Sequence, residues 1–407
     1  MNPVSCAPRW SALLIALGAA GLDGADAQPT EELPEISMLA NPFVFADGTP
    51  VRSPDAWARR RQELKRLFEH YEYGTLPPKP ERMELHAAKP LRAEARGVVH
   101  HDLTLRLFQA GRQFDLHVRL DVPVTATGRL PVVIECGYGG YPVPAPPLPS
   151  WFPPEPDGPS VYTKGGYATA TFLYSDAAED DREAARHSGI YRLFGGDLDT
   201  GALMAWAWAI HRVVDALETL PQVDATRIVV SGLSRFGKAA LVAGAFDERI
   251  AITVPHHSGT AGASPFRFIY GKAEHLHNIA GYAPHWFCPR FLEFVGHVDR
   301  LPVDQHLLKA LVAPRALLST EGTDDEWSNP RGSQLTYRAA REVYRFLGVP
   351  DRISIRFRPV GHIPSPEDLV AFADHVFWGK PLPSEFGQLP YPLETDGFPW
   401  TAPSASH

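Results

Sequence analysis

Residues 227–238 read Arg227-Ile-Val-Val-Ser-Gly-Leu-Ser234-Arg-Phe-Gly-Lys238, and Ala239-Ala-Leu-Val-Ala-Gly-Ala-Phe246 follows at once. The short continuous apolar run at 227–231 has the pattern of a strand buried on both faces of a sheet. The small, apolar residues after Lys238 suit a helix packed close to that sheet. Strand, tight turn and helix would set Ser234 on a sharp elbow, with the free N–H groups and partial positive charge of the helix start beside its hydroxyl. Gly232 and Gly237 remove side chains where turn and helix crowd the sheet. The second glycine comes one residue later than in the pattern Gly-x-Ser-x-Gly, so the local turn suits plain packing as well as it suits a nucleophile.

Working outward, similar apolar runs occur at 131–136, 167–174, 251–255, 315–320 and 353–357. Helical periodicity lies between several of them, at 200–220, 236–246, 333–347 and 366–377. Strand–helix alternation of this kind predicts an α/β fold: a three-layer sandwich with a mostly parallel central sheet flanked by helices. Earlier in the chain, alternating residues at 98–107 and 113–120 suit an antiparallel pair at a sheet edge. Residues 55–71 suit a helix capped by Asp55. The stretch 259–303 reads as an insertion with short helices of its own, and the Pro-rich stretch 142–156 as a surface loop.

The chain has 407 residues, 44% hydrophobic and 21% charged, which is enough for a large core. A net charge of −8 without a basic stripe argues against a nucleic-acid partner. Residues 1–27 read as an export signal, with Arg9 in the basic region, an apolar run from Trp10 to Leu22 and a cleavage site at Ala25-Asp-Ala27. That run of about 13 residues is short of the roughly 20 that span a bilayer. The expected destination is therefore the periplasm or the exterior, with no membrane anchor. Residues 28–52 read as a lead-in without a core, 53–385 as one catalytic-type domain and 386–407 as a tail. A monomer is expected. Past the signal the cysteines are Cys136 and Cys288, which could pair or remain thiols. His256, His257, His275 and His277 lack a further ligand at matching spacing, so no metal is expected, and no organic cofactor either.

A serine on such an elbow needs a base. The strand at 353–357 runs into Arg358-Pro-Val-Gly361-His362, and Pro364 follows. Gly361 and Pro364 fix a turn around His362, in the loop after the final strands where this fold keeps its histidine.

The run Gly232-Leu-Ser-Arg-Phe-Gly-Lys-Ala-Ala240 resembles the Gly-x-Ser-Arg-x-Gly-Lys-x-Ala signature of glucuronoyl esterases, carbohydrate esterase family 15 of the α/β-hydrolase superfamily. So do Ala245-Phe-Asp-Glu-Arg249, the Trp-rich stretch 205–215, Pro284-His-Trp-Phe-Cys288, Ala313-Pro-Arg315 and Trp327-Ser-Asn-Pro330. The resemblance runs from about residue 131 onward. It implies a serine esterase that cleaves esters between the (4-O-methyl-)glucuronic acid of glucuronoxylan and lignin alcohols through an acyl-enzyme. It also implies Ser234 and His362 as nucleophile and base, Arg235 at the oxyanion, and Lys238 on the uronate sugar. For Arg235 and Lys238, a structural ion pair and a solvated cation are the plainer readings. Glu274 and Trp327 fall in the segments that bind or border the sugar, although each also suits packing.

At one place the chain departs from the resembled family. Many members carry the acid in a Glu-Ser-Gly segment; here Pro255-His256-His257-Ser258-Gly259 puts His257 there, and an imidazole cannot do a carboxylate's work. The acid is then expected after the next strand, in Glu321-Gly-Thr-Asp324-Asp325-Glu326-Trp327, with Asp325 the best match and Asp324 and Glu321 behind it. Two other functions stay open. One is a carbohydrate deacetylase of the acetyl xylan esterase type, for which Lys238 would have no purpose. The other is a polysaccharide-binding protein with a decayed triad.

Overall fold

The computed structural model describes residues 29–137, 158–195, 197–393 and 397–403. The expected export signal at 1–27 and the Pro-rich loop at 142–156 lie outside the described residues.

Among the described residues ten strands form one sheet: β1 (Arg82–Ala87), β2 (Leu91–Ala93), β3 (Val98–Gln109), β4 (Arg112–Pro123), β5 (Leu130–Cys136), β6 (Ala168–Phe172), β7 (Val223–Leu233), β8 (Ile250–His256), β9 (Ala316–Gly322) and β10 (Ile353–Arg358). Their order is β1-β3-β4-β6-β5-β7-β8-β9-β10, with β2 beside β3. The block from β6 to β10 is parallel throughout, and the β1–β3–β4 end is antiparallel, joining at β4–β6. Each apolar run in the sequence is a strand of the parallel block, as expected.

The reason those runs are unbroken is visible in β5 and β7. Val132 and Ile134 enter the core on one face while Val133 enters the core on the other, and Ile228 and Val230 oppose Val229 in the same way. Both faces are covered, so alternation has nothing polar to alternate with. Helices Ala202–Leu217, Arg235–Phe246, Gln305–Val312 and Pro330–Phe346 contribute to the first core. Helix Pro366–Trp378 covers the second with Leu369, Phe372 and Ala373. The three layers follow.

Helix Ala202–Leu217 is buried on every side. Its Trp206 and Trp208 each remove roughly 200 Å² from water, an upper bound of about 5 kcal/mol apiece by area. Their indole N–H groups are not stranded, since they donate to the carbonyls of Ala178 (2.9 Å) and Pro78 (3.0 Å).

Three expectations change. The first helix is Pro54–Phe68, and Ser53 rather than Asp55 is its cap, accepting from the Ala56 N–H at 3.2 Å. Pro54 stands at the first helical position, where its missing N–H costs nothing. The antiparallel pair β3–β4 is not at the edge, because β1 lies outside β3, its Met83 and Leu85 alternating with polar residues and packing on the core. The lead-in is not coreless: Leu33, Phe43 and Val51 join the main core, and Leu39 is buried. The tail holds it there, with Leu39 N–H on Gly397 O (3.0 Å) and Trp400 Nε1–H on Leu39 O (3.0 Å). Widely spaced apolar residues in an irregular segment carry no period, so their burial does not show in the sequence.

Candidate active site

Strands β7, β8, β9 and β10 are consecutive neighbours and parallel, so the chain leaves all four at the same end of the sheet. Ser234 follows β7, His257 follows β8, Asp325 follows β9 and His362 follows β10. Topology alone thus gathers four residues spread over 129 positions (362 − 234 + 1), at the strand ends where such sheets bind ligands.

Ser234 has φ 61° and ψ −127°, a conformation few side-chain-bearing residues adopt. Strain of this kind costs on the order of 1–3 kcal/mol and persists only where the surroundings dictate it. They do so here. The Ser234 N–H donates to His256 O (2.9 Å), and Ser234 O accepts from the Lys238 N–H (3.1 Å). A Cβ on Gly232 would lie 2.4 Å from Phe236 O, and one on Gly237 would lie 2.8 Å from Gly232 O. Both glycines are therefore required by contact, and the offset second glycine serves helix Arg235–Phe246 rather than the turn itself.

Asp325 and His362 meet. His362 Nδ1 is 2.6 Å from Asp325 Oδ2, and Ser328 Oγ donates to the same oxygen at 2.5 Å. His257, which stands where the resembled family keeps its acid, points at that oxygen too, with Nδ1 at 3.0 Å. Burial works against a charge on Asp325, but the hydrogen bonds from His257, His362 and Ser328 overcome it and hold the carboxyl well below the usual carboxylate range. Asp325 is ionised at any ordinary pH. The runners-up sit elsewhere: Asp324 is exposed. Glu321 is wholly buried in the sheet, and that burial pushes its carboxyl well above the usual carboxylate range, with the buried Lys309 acting the other way. The loop holding His362 is tied by Arg358, whose Nη2 donates to the carbonyls of Ile363 (2.9 Å) and Pro364 (3.1 Å), whereas no contact or positive φ calls for the glycine at 361.

A pocket of about 210 Å³ opens beside this group, and its lining includes Ser234, Arg235, Lys238, Glu274, Trp327 and His362. Every residue singled out for substrate from the sequence therefore borders it, and only Asp325 stands behind, reached through His362. Arg235 pairs with Asp180 and lies over the Trp286 ring, 5.6 Å from its centroid. Asp180 also accepts from His285 Nε2 (2.9 Å) and Trp286 Nε1 (2.7 Å). Burial again opposes charge there, but His285, Arg235 and Trp286 bring Asp180 down to about 2. The ion pair read as the plain alternative for Arg235 thus exists, and it fixes the guanidinium at the pocket.

Lys238 is not solvated. Its Nζ is buried and donates to Ser258 O (2.8 Å), Thr260 O and Glu274 Oε2 (3.0 Å). An ammonium has three protons, and these acceptors use all three. Tyr282 Oη donates to the other oxygen of Glu274. Tyr282 and Trp327 are 48% and 49% exposed, which puts two aromatic rings at the pocket's rim. Asp180, Tyr282 and Ser328 were not foreseen. Asp180 lies 55 positions from Arg235 within an unremarkable acidic run, and only the fold joins them.

The histidines 275 and 277 are exposed and remain apart from this group. Among the described residues, the donor atoms of His257, Asp325 and His362 come within 4.8 Å of one another, and they match as two N–H donors around one acceptor.

A mostly parallel sheet flanked by helices, with a strained serine at a strand–helix elbow and a histidine–aspartate pair on neighbouring strand ends, defines the α/β-hydrolase class of fold. Within that class, the chain belongs to the glucuronoyl esterase family. The family model for fungal glucuronyl esterases matches residues 105–348. The 4-O-methyl-glucuronoyl methylesterase of Cerrena unicolor is 34% identical over 77% of this chain. That match spans 63% of the relative's length. A carbohydrate esterase family 15 glucuronoyl esterase from Caldicellulosiruptor kristjansonii superposes with TM-score 0.77 at 32% identity, over 93% of this chain and all of the other. A glucuronoyl esterase mutant from Sporotrichum thermophile, solved in complex with methyl 4-O-methyl-β-D-glucopyranuronate, superposes with TM-score 0.75 at 27% identity, over 92% of this chain and 97% of that one.

Proposed function

We propose that this chain is an exported serine esterase that hydrolyses esters of 4-O-methyl-glucuronic acid, the acyl part coming from glucuronoxylan and the alcohol from lignin. The observation that carries the reading is a single pocket bordered by Ser234, His362 and Arg235 on one side and by the buried Lys238–Glu274 pair on the other. The names of the family relatives support it.

In this mechanism Asp325 takes the Nδ1–H of His362 and so leaves Nε2 free to accept the Ser234 proton. The serine oxygen attacks the ester carbonyl. The backbone N–H of Arg235, at the start of helix Arg235–Phe246, and its guanidinium stabilise the oxyanion. His362 then returns its proton to the departing alcohol, and water cleaves the acyl-enzyme by the reverse sequence. Lys238 has no idle proton, so it acts on the sugar through Glu274: the ammonium aims the carboxyl group, and that group accepts from sugar hydroxyls. A decayed triad is disfavoured by the 2.6 Å contact between Asp325 and His362.

The test offers the purified chain benzyl and methyl esters of glucuronic acid beside 4-nitrophenyl acetate, with Ser234→Ala as control. Glucuronate esters are expected to turn over and Ser234→Ala to lose at least ~10⁴-fold in kcat. Turnover of acetate alone would favour the deacetylase, and turnover surviving in Ser234→Ala would defeat the mechanism.

A further inference from the structure

His257 is buried, and its φ of 41° is a left-handed conformation costly for a histidine. Three contacts hold it so. Its N–H donates to Thr320 O (2.9 Å), its carbonyl lies 3.3 Å from the Oγ of Ser328, whose proton goes to Asp325, and its Nδ1 faces Asp325. Its Nε2 is buried without a hydrogen-bond partner. A second proton there would be a buried N–H with no acceptor, so the ring keeps one proton and carries it on Nδ1. Burial holds His257 below the usual histidine range, against the pull of Asp325. The result is a neutral imidazole donating to Oδ2 of Asp325, the atom that also accepts from His362.

We propose that His257 is a positioning residue: its Nδ1–H locks Asp325 in the orientation that aligns His362 and divides the carboxylate's charge between two imidazoles. This rests on the assignment of Ser234, His362 and Asp325 proposed above. Among the described residues, the other charged or titratable groups acting on the trio include Arg358, His256 and Glu321. They are the same in wild type and variant, so a comparison isolates position 257. Without the donor, Oδ2 gives its whole negative charge to His362, which favours the imidazolium. The acid limb of the kcat/KM profile then moves up in pH, and the looser carboxylate lowers kcat.

The experiment compares His257→Phe, which keeps a ring but no donor, with His257→Gln, which keeps an N–H donor. The readings are kcat, KM, the pH profile of kcat/KM and thermal unfolding, on a glucuronate ester and on 4-nitrophenyl acetate. His257→Phe is expected to lose about 10- to 100-fold in kcat, the scale seen when an orienting partner is removed. KM should stay within about twofold and the acid limb should rise by roughly half a pH unit or more. His257→Gln should restore both in part. A folded His257→Phe with wild-type kcat and an unmoved acid limb overturns the proposal, as does a His257→Gln variant that falls as far. Proton NMR decides the same point if His257→Phe does not fold or no substrate turns over. The wild type should show two protected imidazole N–H resonances assigned to His257 and His362, and His257→Gln should remove one. Absence of the His257 resonance overturns the proposal. Ser234-dependent turnover with an unmoved His257→Phe profile defeats this inference alone, whereas absence of Ser234-dependent turnover defeats the functional reading.

Discussion

The two halves of the site are built on different terms. On the nucleophile side, the elbow itself is dictated by contacts within a few positions: Gly232 by the approach of Phe236 O at 2.4 Å, Gly237 by that of Gly232 O at 2.8 Å, and the serine by the turn between them. On the acid side, the ends of β8 and β9 both reach the same point beside His362. His257 and Asp325 arrive there from positions 68 residues apart and share one oxygen. An elbow tolerates one solution, but a carboxylate need only come within hydrogen-bond reach of the base, and two neighbouring strand ends offer that reach. This difference explains why the chain keeps the serine signature of its family yet carries a histidine where many members carry the acid.

The comparison can be broken from the acid side first. Asp325→Asn should lower kcat by about 10³–10⁴, since an amide fixes the wrong tautomer of the base. Adding His257→Glu to that variant should recover at least ~10-fold, because the carboxylate then approaches His362 from the other strand end; no recovery would show that the two positions are not interchangeable. On the pocket side, Glu274→Gln should raise KM for glucuronate esters by roughly 10-fold and leave 4-nitrophenyl acetate within about twofold, a loss of one charged hydrogen-bond acceptor to sugar. Equal effects on both substrates would sharpen the account against a sugar contact.

The smallest effect expected concerns stability. Asp180 titrates near 2 in the fold and near the ordinary aspartate value when unfolded, so its folded value is depressed. Its contribution is then present above about pH 4 and lost as pH falls toward 2, on the order of 2 kcal/mol. Asp180→Asn should therefore lower Tm at neutral pH by a few degrees and flatten the fall in Tm between about pH 4 and 2. An unchanged slope there would show that the Asp180–Arg235–His285–Trp286 cluster contributes little.

The parallel block and the elbow were legible because burial on both faces leaves an apolar run, and because steric limits on a tight turn act on adjacent residues. His362 and Asp325 were legible from their place after β10 and β9 and from family likeness. Asp180 was not, since its reason for being charged lies on a helix 55 residues away. Nor was the burial of Lys238: a lysine in a small-residue helix reads as solvated until Ser258, Thr260 and Glu274 are folded around it. The anchoring of residues 29–52 escaped because an irregular segment has no period to detect, whereas strand β1 (Arg82-Met-Glu-Leu-His-Ala87) does alternate polar and apolar and its short pattern was overlooked.

The central claim is that Asp325 is the acid and His257 its support. The direct measurement is kcat/KM on a benzyl glucuronate ester for Asp325→Asn and His257→Phe side by side. The first should lose at least ~10³-fold and the second about 10- to 100-fold. A larger loss from His257→Phe than from Asp325→Asn would contradict it.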